Sequence, residues 1–177
     1  SPVTSATASD PTLAATRSLG KRGLRVTVGE STALATTFFS RYCTRRLVYP
    51  SPHTHPEDFV EALVRELKRN RYTMVLPLEE RTTLLLAQYR QAVEPWTCLP
   101  LTDFTSLDFA RRKDEVLKMA ASLGIPTPAT FFPGRPQEVR DRCRILPIPA
   151  VIKPRLGPAP PGIAYVRKRE DPWPAYL

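Results

Sequence analysis

Pro149-Ala150-Val151-Ile152-Lys153-Pro154-Arg155-Leu156-Gly157 is the segment on which the rest of the chain turns. Three apolar residues run straight into a lysine, and proline, arginine and a turn glycine follow. Val151 and Ile152 are β-branched and suit a pleated, buried surface. Lys153 then falls at the end of a strand, where α/β proteins place their ligands. An ammonium group there, partly shielded from water, suits a phosphate. A lysine at a strand end is also common in proteins that bind nothing, so the rest of the chain must decide its meaning.

The chain has 177 residues and 42% hydrophobic residues, enough for one large domain or two small ones with a buried core. Prolines number 20 and crowd the C-terminal third. The net charge of +9 favours an anionic partner without choosing between nucleotide, nucleic acid and acidic surface. Cys43, Cys98 and Cys143 are far apart and odd in number, which fits neither a metal knuckle nor a disulfide framework. Inert thiols in a reducing compartment are the simpler reading. No apolar run reaches the ~18 residues of a membrane span. The first residues lack the charged start and apolar core of a signal peptide, so a cytoplasmic protein without a membrane partner is expected.

Residues 3–6 read as a short strand, with Asp10 as N-cap and Pro11 as first residue of a helix running to Gly20. Leu24, Val26 and Val28 alternate with Arg25 and Thr27 as a second strand, which makes a βαβ unit near its minimum length. The first turn carries Thr7, Ala8 and Ser9 where a G-x-G-x-x-G would sit, so nothing supports NAD binding. The spacing predicts a helix over 31–42 and a short strand over 47–49. His53 and His55 follow in a proline-stiffened connection. They resemble half a metal site, but no third ligand stands nearby, and exposed loop histidines are the simpler reading. Thr54 and Glu57 match a capping box, ahead of a helix whose apolar face is Phe59, Val60, Leu63, Val64 and Leu67. Met74, Val75 and Leu76 read as a buried strand ending at Pro77, and Glu79 and Glu80 open the next helix. Their charge suits a helix N-terminus, with a substrate-facing role as the alternative. Cys98 and Leu99 read as a last strand. This alternation implies a parallel sheet covered on both faces.

The character changes after about residue 104. Ser106 is expected to cap a helix that stops at Gly124, with Pro126 barring continuation. A strand over 129–132, a short helix near 137–143, the Lys153 strand and a strand over 163–166 complete this part.

Three groups of residues carry a family resemblance. The first is Leu19-Gly20-Lys21-Arg22-Gly23-Leu24-Arg25-Val26 with Ser40-Arg41-Tyr42-Cys43 and Tyr49-Pro50. The second is Arg112-Lys113-Asp114-Glu115-Val116-Leu117 leading to Leu123-Gly124-Ile125-Pro126-Thr127-Pro128. The third is the Lys153 strand. In order and spacing they resemble the N-terminal half of ATP-grasp enzymes, in the branch of the carbamoyl-phosphate synthase large subunit and biotin carboxylase. The resemblance implies a Rossmann-like pre-ATP-grasp domain over 1–104, followed over 105–177 by the first, α+β part of an ATP-grasp domain. It implies ATP as cofactor. Two lysines grip ATP phosphates in such enzymes, and Lys113 and Lys153 match their positions. Arg155 and the loop glycines Gly157 and Gly162 complete the residues it assigns to the nucleotide. Converging ammonium groups neutralise a polyphosphate without bidentate geometry, which suits lysine.

The chain departs from the family in two respects. The loop after the strand lysine is usually rich in Gly and Ser, whereas here Pro158, Pro160 and Pro161 lie between its glycines. Prolines remove amide donors that would meet phosphate. The family's adenine hinge and its Mg²⁺ ligands are expected past Leu177, so no metal ligand and no catalytic residue is assigned here. The complete enzyme is expected to activate a carboxylate, of unidentified structure, as an acyl phosphate for attack by an amine or similar nucleophile. The missing ligands and the prolines suit an alternative, a non-catalytic α/β module or remnant. A basic nucleic-acid binder is a second alternative, carried by Arg140, Arg142, Arg144, Arg155, Arg167, Lys168 and Arg169. No recognition motif or interleaved aromatic residue accompanies them.

Overall fold

A computed structural model of the protein describes residues 11–135, 138, 147–156 and 163–168. The strand expected over 3–6, the Asp10 cap, the loop over 157–162 and, Glu138 apart, the helix expected over 137–143 lie outside them. The chain divides into two compact units, Ser1–Phe104 and Thr105–Leu177.

In the first unit, helix α1 spans Pro11–Lys21. A proline opens it, where its missing N–H costs no helix bond, and Lys21 closes it at the end that favours a cation. Strands β1, Val26–Glu30, and β2, Cys43–Val48, pair in parallel, with Val26 opposite Cys43 and Glu30 opposite Val48. The connection between them is not the helix expected over 31–42. It holds one 3₁₀ turn, Thr36–Phe39, which buries Phe38 and leaves Phe39 at the surface. Hydroxyls compete with the helix ladder here. Thr32 Oγ1 accepts from the Leu34 amide at 3.3 Å, and Ser40 Oγ accepts from the Tyr42 amide at 3.3 Å. Gly20 lies hard against Tyr42, so that a Cβ at Gly20 would come within 2.5 Å of the Cβ of Tyr42.

Helix α2, Pro56–Arg69, begins one residue later than the capping box predicts. His55 occupies the cap, and the Thr54 hydroxyl is bonded to His55 Nδ1 at 2.8 Å instead of to the helix. A proline in the first turn, with Glu57 and Asp58, starts the helix in place of the box. The core is helical. Phe59, Val60, Leu63 and Leu67 of α2 pack with Leu85 and Leu86 of α3, Glu80–Gln88, with Val93 of α4, Arg90–Val93, and with Leu99. Tyr49 meets Phe59 edge to face, with ring centroids 4.8 Å apart.

The buried strand expected at 74–76 is a single parallel bridge between Met74 and Cys98, and both Met74 and Leu76 are exposed. Pro77 has no amide to extend the ladder. Among the described residues the parallel sheet therefore has two strands, fewer than the doubly covered sheet expected.

One buried carboxylate ties this unit together. Glu66 of α2 is 8% exposed. Its two oxygens accept from the Arg45 guanidinium of β2 at 2.8 and 3.2 Å. The same carboxylate accepts from the Tyr72 hydroxyl at 2.5 Å and from Asn70 Nδ2 at 3.0 Å.

In the second unit, the single helix expected from Ser106 is two. Helix α5, Phe104–Arg111, contains Ser106 in its interior, and α6 spans Lys113–Ser122. Arg112 between them leaves helical geometry (φ −83°, ψ 89°), with its guanidinium donating to Asp108 at 2.7 and 3.1 Å. α6 ends where the sequence predicts: Gly124 takes φ +72° and the Ile125 amide donates to the Ala120 carbonyl at 3.0 Å. The strand expected over 129–132 does not form a ladder. Strands β3, Ala150–Ile152, and β4, Ala164–Val166, pair antiparallel, with Val151 opposite Tyr165.

Two predictions follow from the first unit. Arg45→Ala leaves the Glu66 carboxylate buried without its cation. Because Arg45 is half-exposed and Tyr72 and Asn70 remain, the expected loss is about 2 kcal/mol, read as a fall in the urea midpoint. Tyr49 gives a pH dependence. Burial, followed by the nearby Glu30 and Glu79, raises its phenol well above the ordinary tyrosine value. The unfolded phenol therefore ionises first, so stability present below about pH 10 is lost as pH rises past it. Urea midpoints measured from about pH 8 to about pH 11 should fall for the wild type and fall less for Tyr49→Phe.

Candidate nucleotide site

Lys113 is the first residue of α6 and is half-buried. Its backbone N–H donates to the Arg155 carbonyl at 3.3 Å. That bond joins the start of α6 to the chain just past β3, and Lys153 is the first residue after β3. The apolar run Ala150–Ile152 forms the strand and the lysine leaves it, as the sequence pattern predicts. Lys153 is exposed.

The neighbouring charges are largely spoken for. Arg155 Nη1 lies 3.7 Å from Asp114 Oδ2, and Arg155 Nη2 donates to the Pro133 carbonyl. Arg155 is thus a brace between α6 and the segment before β3. Asp114 is nearly buried and also lies 3.8 Å from Lys118 Nζ. Lys118 bonds Glu115 at 2.8 Å, which with the nearby acids raises the pKa of its ammonium. The Arg112 guanidinium holds the Asp108 carboxyl below the usual carboxylate range, with Arg111 adding to it. Lys153 is different: it makes no ion pair or hydrogen bond among the described residues. Gly157 and Gly162 lie outside those residues.

The acidic pair of the first unit is structural at Glu79. This residue caps α3, its carboxylate accepting from the Arg81 and Thr82 amides at 3.2 and 3.1 Å. Glu79 Oε1 is also 3.1 Å from His53 Nε2. Among the described residues no group of three or more His, Cys, Asp and Glu side chains is placed to hold a metal ion. No helix of the described residues is long and apolar enough to cross a membrane.

Sequence reasoning missed the Asp114–Arg155 brace. Nothing in the spacing of two residues so far apart announces a pair, although Asp114 beside Lys113 in a first helical turn was a visible candidate. It also passed over a basic cleft in the first unit, formed from the residues that carry the resemblance, Lys21 with Ser40, Arg41 and Tyr42, together with Arg17 and Phe39.

No protein-family model and no curated protein matches the chain. Among solved structures, the chain is similar to the crystal structure of an L-amino acid ligase from Bacillus licheniformis, with a TM-score of 0.63 and 19% sequence identity. The match covers 88% of this chain and 36% of that one, so the chain spans about a third of that enzyme's length. At this identity the likeness is one of fold. It does not single out the branch of the carbamoyl-phosphate synthase large subunit and biotin carboxylase.

Proposed function

We propose that the chain is the N-terminal portion of an ATP-grasp ligase-like protein, with a pre-ATP-grasp domain over 1–104 and the start of the ATP-grasp domain after it. The observation that carries the reading is Lys153. It is an exposed ammonium at the end of β3, without a partner among the described residues, and the chain beside it is bonded to the start of α6 at Lys113. A cation left unpaired next to braced neighbours is available to a ligand anion. The fold likeness to an L-amino acid ligase supports the same class.

In this reading Lys153 and Lys113 hold ATP phosphates, and Arg155 acts through Asp114 to keep β3 and α6 in register. ATP supplies the phosphoryl group that activates a carboxylate for an amine or similar nucleophile. The residues of this chain bind and orient by charge and position, and neither lysine is a nucleophile. Mg²⁺ belongs to the proposal without ligands from the described residues. The carboxylate substrate stays unassigned. The chain is proposed to act in the cytoplasm.

Calorimetric titration with ATP tests the reading. Lys153→Ala removes a charge-assisted contact at an exposed position, so the fold should persist by circular dichroism. ATP affinity should fall by about 10-fold or more. Unchanged affinity in the folded variant would overturn the assignment of Lys153.

A further inference from the structure

Seven Lys and Arg residues stand between Pro11 and Val48, against a single carboxylate, Glu30. Three of those cations line one cleft of about 450 Å³: Arg17, Lys21 and Arg41, with Phe39, Ser40 and Tyr42. The cleft is open to solvent rather than enclosed. Arg17 and Lys21 are one helical turn apart on α1 and so share a face. Arg41 reaches the cleft from the segment entering β2. Its guanidinium donates to the Tyr42 hydroxyl at 2.7 Å and lies 4.8 Å from the centre of that ring.

Among the described residues the charge is uncompensated. Among the described residues none of the three cations pairs with a carboxylate. Glu30 sits at the far end of the sheet, opposite Val48, whereas the cleft is formed before Cys43 at the near end. Parallel strands rise by about 3.3 Å per residue, which puts Glu30 well over 10 Å from the cleft mouth along the strand direction. The carbonyl end of α1 opposes an anion, but two of its last carbonyls, those of Leu19 and Gly20, are occupied. The Arg22 and Leu24 amides donate to Leu19, and the Gly23 amide donates to Gly20. A cleft lined by one sign of charge concentrates counter-ions.

Phe39 adds a second kind of contact. It is 68% exposed, an unusual position for a phenylalanine, and the Arg46 guanidinium lies 5.3 Å from its ring centre. Tyr42 is packed against Gly20, which fixes the cleft wall. We infer that this cleft is a second anion site, separate from Lys153, for a phosphorylated small molecule with a planar aromatic group, of the nucleoside phosphate class. The cations meet the phosphates, and the base lies on Phe39. A nucleic acid fits less well, because single strands are held along extended grooves with several stacking rings, and this cleft offers one exposed ring.

The test is titration of the full chain with ADP, without Mg²⁺, by calorimetry, together with amide hydrogen exchange to locate the contact. Protection of residues 17–21 and 36–42 is expected. Lys21→Ala and Arg41→Ala should each weaken ADP at this site by about 5- to 10-fold. Phe39→Ala should weaken ADP but leave inorganic pyrophosphate unchanged, whereas Lys153→Ala should leave the protection intact. All four positions are exposed, and circular dichroism checks that the variants fold. Three results would overturn the inference. The first is no protection of these segments. The second is ADP binding that responds only to Lys153→Ala. The third is a random single-stranded oligonucleotide that binds here more tightly than ADP, with affinity falling steeply between low and physiological salt.

Discussion

The first unit depends on a carboxylate that water barely reaches. Glu66 sits on the buried side of α2, and taking its charge out of water costs several kcal/mol unless the charge is met. It is met from three directions, by Arg45 of β2, by Tyr72 beyond the helix, and by Asn70 at the helix end. The pair therefore helps to fix where the sheet lies on the helix, because this placement satisfies both oxygens. Hydrophobic burial alone would tolerate sliding. Arg45 also reaches the Tyr72 hydroxyl at 3.4 Å, which closes the group into a network. Tyr72 answers with a raised pKa, from burial first and then from its bond to Glu66.

The second unit is held by a different device. Its helices carry few buried side chains, and Val116, Met119 and Leu123 of the α6 region are exposed. Local ion pairs run along it instead: Asp108 with Arg111 and Arg112, and Lys118 with Asp114 and Glu115. Exposed pairs of this kind contribute little each. The Arg155 brace, on an almost buried Asp114, is a side-chain contact that bridges distant sequence, and it stands beside the proposed phosphate lysines.

Much of this was legible in the sequence where one local signal acted alone. The α2 face at Phe59, Leu63 and Leu67, the Gly124 stop and the strand ending at Lys153 all follow from period, turn chemistry or β-branching. The failures share a cause. The run over 31–42 has helical spacing at Leu34 and Phe38, but Thr32 and Ser40 offer their hydroxyls to the backbone, and local hydrogen bonds win over a weak periodic pattern. Thr54 satisfied the capping box on paper, yet its hydroxyl found His55 first. At the candidate site, motif spacing is what proposes Lys113 and Lys153. Asp114 as the partner of Arg155 could not, because long-range pairing leaves no periodic trace. The basic cleft was hidden for the same reason. Its two halves lie on either side of a strand, and only parallel pairing of β1 with β2 brings them together.

The helical core has a consequence for how the first unit assembles. Every side chain in it comes from the stretch between Phe59 and Leu99, whereas the sheet pairs Val26 with Cys43 and Glu30 with Val48. The strand partners lie no farther apart in sequence than Leu67 and Leu85, and loop entropy grows only slowly with length, so neither half must wait for the other. The two halves come from adjoining stretches of chain, and each can collapse by itself. Arg45 and Glu66, 21 residues apart, belong one to each half. Whichever half forms first, the meeting of that arginine with that carboxylate marks the docking of sheet on helices.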